Sequence, residues 1–173
     1  MILILEGADL TGKTSVAHKL SELTGMPQTG IWIDLNTPKP AVISVAKTLI
    51  HLLTAVKPNV IFDRSFISEY VYGSILGRET SYILPLIEEW KSISDCCLII
   101  LTASDKILEE RYYLRGDDYV CLADLIKINN GYLRLGEMIS QYIDTHIIDT
   151  SHLSIDQIAK VILEMIGRGE ITM

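Results

Sequence analysis

Short aliphatic and β-branched runs alternate along this chain with longer stretches whose apolar residues recur every three or four positions. That is the pattern of strand-helix-strand units built around a parallel sheet. The runs predict strands over 2–6, 31–35, 59–63, 97–102 and 146–149. The helical spacing predicts helices over 13–24, 40–56, 65–77, 81–94, 104–115, 122–140 and 154–167. Pro38 and Pro40 suit the opening of the second helix, where the N–H that proline lacks has no partner to lose, and Ser154 with Asp156 offers the last helix a capping start. No repeat, low-complexity tract or linker interrupts the pattern, so residues 1–173 are expected to form a single α/β domain with a five-stranded parallel sheet between helical layers. Parallel sheets of this kind bind ligands at the carboxyl ends of their strands, which directs attention to the residues just after each one.

The first such end carries Gly7-Ala8-Asp9-Leu10-Thr11-Gly12-Lys13-Thr14, directly after Ile2-Leu3-Ile4-Leu5. This is a complete phosphate-binding loop, in which glycines permit a backbone path whose N–H groups converge on phosphate oxygens. Lys13 at this spacing reaches the β and γ oxygens of a triphosphate, and the Thr14 hydroxyl can ligate Mg²⁺. The helix continuing through Ser15 adds the partial positive charge of its N-terminus. Gly7, Asp9, Thr11, Gly12, Lys13, Thr14 and Ser15 are therefore the expected contacts of the donor nucleotide, ATP with Mg²⁺. The plain alternative is a glycine-rich turn without a ligand.

After the run Asn59-Val60-Ile61-Phe62, Asp63-Arg64-Ser65 is delivered to the same sheet edge. An aspartate there can hold Mg²⁺ or its water, and an arginine can neutralise a transferring phosphoryl group or an acceptor phosphate. A solvated ion pair at a helix start would use the same residues.

Composition narrows the class. A hydrophobic content of 49% argues against disorder, and a net charge of −7 disfavours a broad polyanion-binding surface, so a small nucleotide is expected rather than extended nucleic acid. Cys96, Cys97 and Cys121 lack zinc-ligand spacing and are odd in number for a disulfide framework, so they read as reduced, mostly buried thiols. No apolar run is expected to reach the ~18 residues of a membrane span, and the N-terminus reads as a core strand rather than a cleavable signal. A cytoplasmic protein follows from these expectations.

The motif residues also resemble a family. Glu6-Gly7-Ala8-Asp9-Leu10-Thr11-Gly12-Lys13-Thr14 is similar to the E-G-x-D-x-x-G-K-T loop of thymidylate kinases, and the segment from Asp63 to Gly73 is similar to their D-R-x-x-x-S-x-x-A-Y element. The second segment also resembles the E-R-S-x-x-S-x-R-Y motif of deoxynucleoside kinases. The run from Leu108 to Asp118 resembles the lid of this kinase group, and Gly131–Leu135 with the unit from His146 to Ile166 follows the closing pattern. The resemblance implies a three-layer P-loop NTPase fold with a small lid near 111–120, and it implies that Asp9 contacts the sugar 3′-hydroxyl of the acceptor. Because Leu10-Thr11 replaces the loop arginine of one subtype, it also implies a catalytic cation from Arg111 or Arg115. The plainer role of those two arginines is pairing with Glu109, Glu110 or Asp117 on a helix surface.

Two departures bear on the acceptor. Only about thirty residues separate Asp34 from Asp63, so the acceptor-binding helix that the family inserts there is missing, and Gly73 replaces a frequent glutamine. Asp34, at the expected end of the second strand, could accept the proton of a nucleoside 5′-hydroxyl or simply hold a turn with Asn36 and Thr37. Phe66, Tyr70 and Tyr72 are candidates for an aromatic wall beside a base, with Ser68 near the acceptor, and Trp32 is expected in the core. His18, His51, His146 and His152 have no metal spacing. The chemistry expected is in-line transfer of the ATP γ-phosphoryl group to a thymidylate-like deoxynucleoside monophosphate, with Arg64 aligning the acceptor. A deoxynucleoside, or a modified base or end in DNA, is the alternative acceptor, and an ATP-binding regulator is the alternative without catalysis. No Asn-Lys-x-Asp signature supports a regulatory GTPase. The expected partner is a small-molecule nucleotide, with a homodimer left open.

Overall fold

The computed structural model describes residues 1–34, 36–117 and 119–167. Leu35, the last residue of the expected second strand, and Asp118, in the expected lid, lie outside the described residues, as do residues 168–173. The elements run β1 (Ile2–Gly7), α1 (Lys13–Thr24), β2 (Gln28–Thr29), α2 (Lys39–Val56), β3 (Val60–Asp63), α3 (Ile67–Ile75), α4 (Ile83–Glu89), β4 (Cys96–Thr102), α5 (Asp105–Arg115), α6 (Leu122–Ile139), β5 (Asp144–Asp149) and α7 (Ile155–Met165). All strand pairs are parallel, in the order β2-β3-β1-β4-β5.

Alternation along the strands explains the three layers, because successive side chains leave a strand on opposite faces. Ile2, Ile4, Phe62, Leu98 and Ile100 pack with α2, α3, α4 and α6. Leu3, Leu5, Ile61, Ile99 and Leu101 pack with α1 and α7. Both faces of the sheet are thus covered, as parallel sheets require. The central strand β1 is buried along its whole length and delivers the glycine-rich loop to the middle of the carboxyl edge.

The second strand departs from expectation. Pairing is confined to Gln28 opposite Ile61 and Thr29 opposite Phe62. At Gly30 the chain passes so close to β3 that a Cβ would lie 2.4 Å from the Asp63 carbonyl oxygen. One more backbone bond follows, from the Ile31 N–H to the Arg64 carbonyl at 3.2 Å; at Arg64 φ is 75°, and Trp32–Asp34 has no strand partner among the described residues. That stretch runs beside the cleft described below. The helix expected over 65–77 is Ile67–Ile75, and the one expected over 81–94 is Ile83–Glu89 followed by a 3₁₀ turn at Trp90–Ser92.

Against the expectation that no run reaches spanning length, α2 has 18 residues and a mean hydropathy of 1.3, enough by length and composition to cross a membrane. Here its Val42, Ala46, Ile50 and Leu53 are buried in the core cluster shared with α3, α4 and α6. The three cysteines are free, Cys97 buried, Cys96 half-buried and Cys121 exposed.

The start of α7 shows how local sequence fixes an element. The Ser154 hydroxyl accepts from the Gln157 N–H at 3.2 Å while the Gln157 side chain accepts from the Ser154 N–H at 2.8 Å. Such a capping box satisfies two helix-end donors. Ser154→Ala should lower stability by about 1 kcal/mol, seen as a lower urea midpoint with an unchanged slope.

Candidate active site

The donor loop begins at Gly7, where φ is 141° and a Cβ would lie 2.1 Å from the Leu101 carbonyl oxygen, so only glycine fits. Gly12 caps α1 at φ 91° without a side chain, and the first turn of α1 holds no acidic residue. The N–H groups of that turn are left for an anion. The Thr11 hydroxyl donates to the Ala8 carbonyl at 2.8 Å, and the Lys13 ammonium donates to the same oxygen. Lys13 is buried, with the Asp9 carboxylate 4.0 Å away. Thr14 and Ser15 are exposed at the helix start.

Across from the loop, the Thr14 hydroxyl donates to Asp63 Oδ2 at 2.7 Å. Asp63 Oδ1 is buried without a hydrogen-bond partner among the described residues. A buried carboxylate oxygen left unpaired beside a threonine hydroxyl is a donor set for a hard cation, and it fits Mg²⁺.

Arg64 joins the donor loop to the neighbouring cleft. Its side chain is 5% exposed and ion-paired to Asp9 Oδ1. Nη2 also donates to the Tyr72 hydroxyl at 2.9 Å, and Nη1 to the Gly7 carbonyl at 3.3 Å. Tyr72 in turn donates to Asp9 Oδ2 at 2.7 Å. Nε is buried and has no partner among the described residues. Beneath Arg64, the fully buried Glu6 accepts from the Ser65 N–H and hydroxyl, each at 2.8 Å, from the Ser68 hydroxyl at 2.6 Å and from the Tyr132 hydroxyl at 2.9 Å. Four donors satisfy a carboxylate that would otherwise be costly to bury. They also tie β1, the segment after β3 and α6 to one group.

The cleft beside Arg64 encloses about 300 Å³ and is bordered by Trp32, Asp34, Ser68, Glu69, Tyr72 and Arg78, among others. Trp32, expected in the core, is 71% exposed, and the Arg64 guanidinium lies 5.3 Å from its ring centre. Phe66, expected as part of the aromatic wall, is fully buried and packs edge-on against Trp90 at 5.0 Å. Its position one residue before α3 turns it into the core beneath the sheet rather than into the cleft. Tyr72 reaches the cleft; Tyr70 packs at the edge of the core. Asp34 borders the cleft, but its Oδ1 already accepts from the Asn36 N–H at 2.7 Å in a local turn. Arg78 and Glu69 form a two-pronged pair at 2.9 and 2.6 Å.

The two lid arginines part company. Arg111 donates to the Leu10 carbonyl of the donor loop at 2.8 Å, and to the Thr150 hydroxyl and carbonyl at 3.2 and 2.9 Å. Arg115, one turn further along α5, is exposed and has no hydrogen bond or ion pair among the described residues. The rest of the expected lid is the loop from α5 to α6, in which Asp117 accepts from the N–H groups of Tyr119 and Val120.

Several members of this constellation were given no role by the sequence. Glu6 stands at the head of the donor-loop motif and Tyr132 within the Gly131–Leu135 segment, while Thr150 was visible as the residue following β5. Arg78 and Glu69 carry no comparable signal.

The electrostatics follow from burial. Burial raises the Asp9 carboxyl, but the charges of Arg64 and Lys13 more than reverse this and hold it below its usual value. Burial raises the Tyr72 hydroxyl, so it stays protonated and donates. Burial, reinforced by Arg64, lowers Lys13 to about 7.

No protein-family model matches the chain, and no curated protein matches it. Solved structures share its fold. YorR from Bacillus subtilis, in complex with phosphorylated GDP, is 25% identical with a TM-score of 0.75, covering 100% of this chain and 99% of that one. Deoxyadenosine kinase from M. mycoides, with dCMP and dCDP bound, is 16% identical with a TM-score of 0.68, covering 96% and 99%. Thymidylate kinase from Candida albicans is 17% identical with a TM-score of 0.66, covering 96% and 90%. The chain thus has the fold of the P-loop kinases, with neighbours from both kinase groups that its motifs resemble. A fold of this kind does not by itself fix the acceptor.

The lowered Lys13 pKa sets a pH dependence. Without nucleotide, the penalty for burying this charge is fully present below about 7 and is relieved as pH rises towards the unfolded value of 10.5. A bound triphosphate favours the ammonium form, so at pH 8 ATP binding should take up about one proton through Lys13. Calorimetry in buffers of different ionisation enthalpy should show this uptake in the native protein and none in Lys13→Arg. Equal heats in all buffers for the native protein would contradict it.

Proposed function

We propose that the chain transfers the γ-phosphoryl group of ATP to a deoxynucleoside monophosphate with a thymine-like base. The observation carrying this reading is Arg64, a buried cation between the donor loop and the cleft, with its Nε–H unpartnered among the described residues. An acceptor phosphate entering the cleft would meet the guanidinium, and a small shift of the side chain would bring its buried Nε–H to a partner. Lys13 and the loop N–H groups would hold the β and γ phosphates, while Asp63 and Thr14 would hold Mg²⁺, which offsets charge on the transferring group.

In the transfer itself, an acceptor phosphate oxygen attacks the γ-phosphorus, the bond to the bridging oxygen breaks, and ADP leaves. A phosphate monoester has a second pKa of about 6, so its oxygen is already deprotonated near neutral pH and needs no protein base. This agrees with the engagement of all three carboxylates bordering the cleft, Asp9 with Arg64 and Tyr72, Asp34 with Asn36, and Glu69 with Arg78. Asp9 would exchange part of its present bonding for the sugar 3′-hydroxyl. Trp32 and Tyr72 offer ring faces to a base, with Arg78 and Glu69 at its edge. Arg111 supplies a cation already docked on the donor loop, and Arg115 would join only on closure of the lid. The nucleotide bound to YorR supports a nucleotide ligand within the same fold, whereas the M. mycoides enzyme is named for a deoxynucleoside and holds dCMP as a product, which supports the second reading below.

A deoxynucleoside acceptor is the second reading, favoured by Asp34 bordering the same cleft. There Asp34 would leave its turn and take the proton of the 5′-hydroxyl.

ATP consumption against a matched panel of deoxynucleosides and their monophosphates separates the two. Turnover is expected with thymidylate-like monophosphates and not with nucleosides, and Arg64→Lys should lower it by about 100-fold or more without weakening ATP binding. Turnover with nucleosides alone would transfer the assignment to the second reading, and silence across the panel would overturn both.

A further inference from the structure

At the edge of the sheet opposite the donor loop, Cys97 at the start of β4 pairs with Asp144 at the start of β5, and Ile99 pairs with His146. Residues two apart share a face of a strand, and paired neighbours on parallel strands project together. Cys97 and Ile148 both pack on the α1/α7 side, which places Cys97, Asp144 and His146 on that one face. The sulfur, a carboxylate oxygen and an imidazole nitrogen all lie within 4.8 Å of one another. His146 Nε2 is 3.3 Å from Asp144 Oδ1. Ligands bonded to zinc at 2.0–2.3 Å in a tetrahedron are separated by about 3.3–3.8 Å, so small side-chain movements would close the set.

Two further observations bear on a ligand. A cavity of about 270 Å³ at this end of the sheet is lined in part by Asp95, Cys97 and Asp144, so two of the three donors border open space. The three donors differ in kind. Asp144 and His146 have an ordinary role on an edge strand, where charge discourages pairing with another chain. A 3% exposed cysteine beneath them has no part in that role. One thiolate, one imidazole and one carboxylate together select a borderline-soft divalent metal over Mg²⁺.

We propose that Cys97, Asp144 and His146 form a binding site for a zinc-class divalent cation, with water in the fourth position. Binding forms the metal–sulfur bond and releases the Cys97 thiol proton to solvent. The bound ion would clip edge strand β5 to β4, remote from the donor loop and the cleft.

The test is a Co²⁺ titration of the full chain under a non-thiol reductant with Mg²⁺ in excess. The expected result is one equivalent bound, with a thiolate-to-cobalt charge-transfer band that Zn²⁺ displaces. The band should vanish in Cys97→Ser and persist in Cys96→Ser, whose side chain faces the other side of the sheet. His146→Gln, on the half-exposed edge, should bind at least about tenfold more weakly. This variant decides the matter if Cys97→Ser fails to fold. Absence of the band in the native chain, its survival in Cys97→Ser, or undiminished binding by His146→Gln would each overturn the assignment.

Discussion

The site is organised around one buried cation. Arg64 sits at the end of β3 with a positive φ, a backbone arrangement that a non-glycine residue holds only when its surroundings impose it. Here the imposition is visible: its guanidinium meets Asp9 and the Gly7 carbonyl of the donor loop, while Glu6 below holds the N–H and hydroxyl of the next residue, Ser65. Removing one partner of such a buried pair typically costs roughly 3–5 kcal/mol, because the other charge is left unpaired. The donor loop and the neighbouring cleft are therefore parts of one polar network, in which Tyr72 and Tyr132 carry the contacts outward to α3 and α6.

The sheet makes this network possible. With β1 central and β3 beside it, the loops that follow both strands emerge side by side at the carboxyl edge. Packing on both faces comes from simple alternation, and that leaves the two strand ends free to carry glycine, lysine, aspartate and arginine in place of core residues. On the donor side, burial lowers Lys13 to about 7, and an incoming triphosphate would favour its ammonium form.

Much of this was legible in the chain. Helix α1 begins and ends where the spacing places it, at Lys13 and Thr24, because glycine at both ends and an unbroken helical stretch between them are local signals. The second strand was misplaced for a reason local sequence does not carry. Ile31-Trp32-Ile33 has strand composition, yet its would-be partner β3 ends at Asp63, and the pairing falls on Gln28 and Thr29 instead. The same displacement brings Trp32 out of the core and to the rim of the cleft. Phe66 erred in the other direction, since proximity in sequence to Arg64 says nothing of which way the chain turns as it enters α3. Glu6 and Tyr132, 126 residues apart, meet through tertiary packing alone. The acceptor is the least legible feature, because the cleft is lined from the segment after β2, from α3 and from the loop after α5, which no single motif contains.

The central claim is that Asp9 and Arg64 act as one unit linking donor and acceptor. A double-mutant cycle on phosphoryl-transfer turnover tests it most directly, using Asp9→Asn, Arg64→Gln and the two combined. The account predicts strong coupling, of about 1 kcal/mol or more, with the double variant little worse than Arg64→Gln alone. Losses that simply add would show that the two residues act independently and would contradict it.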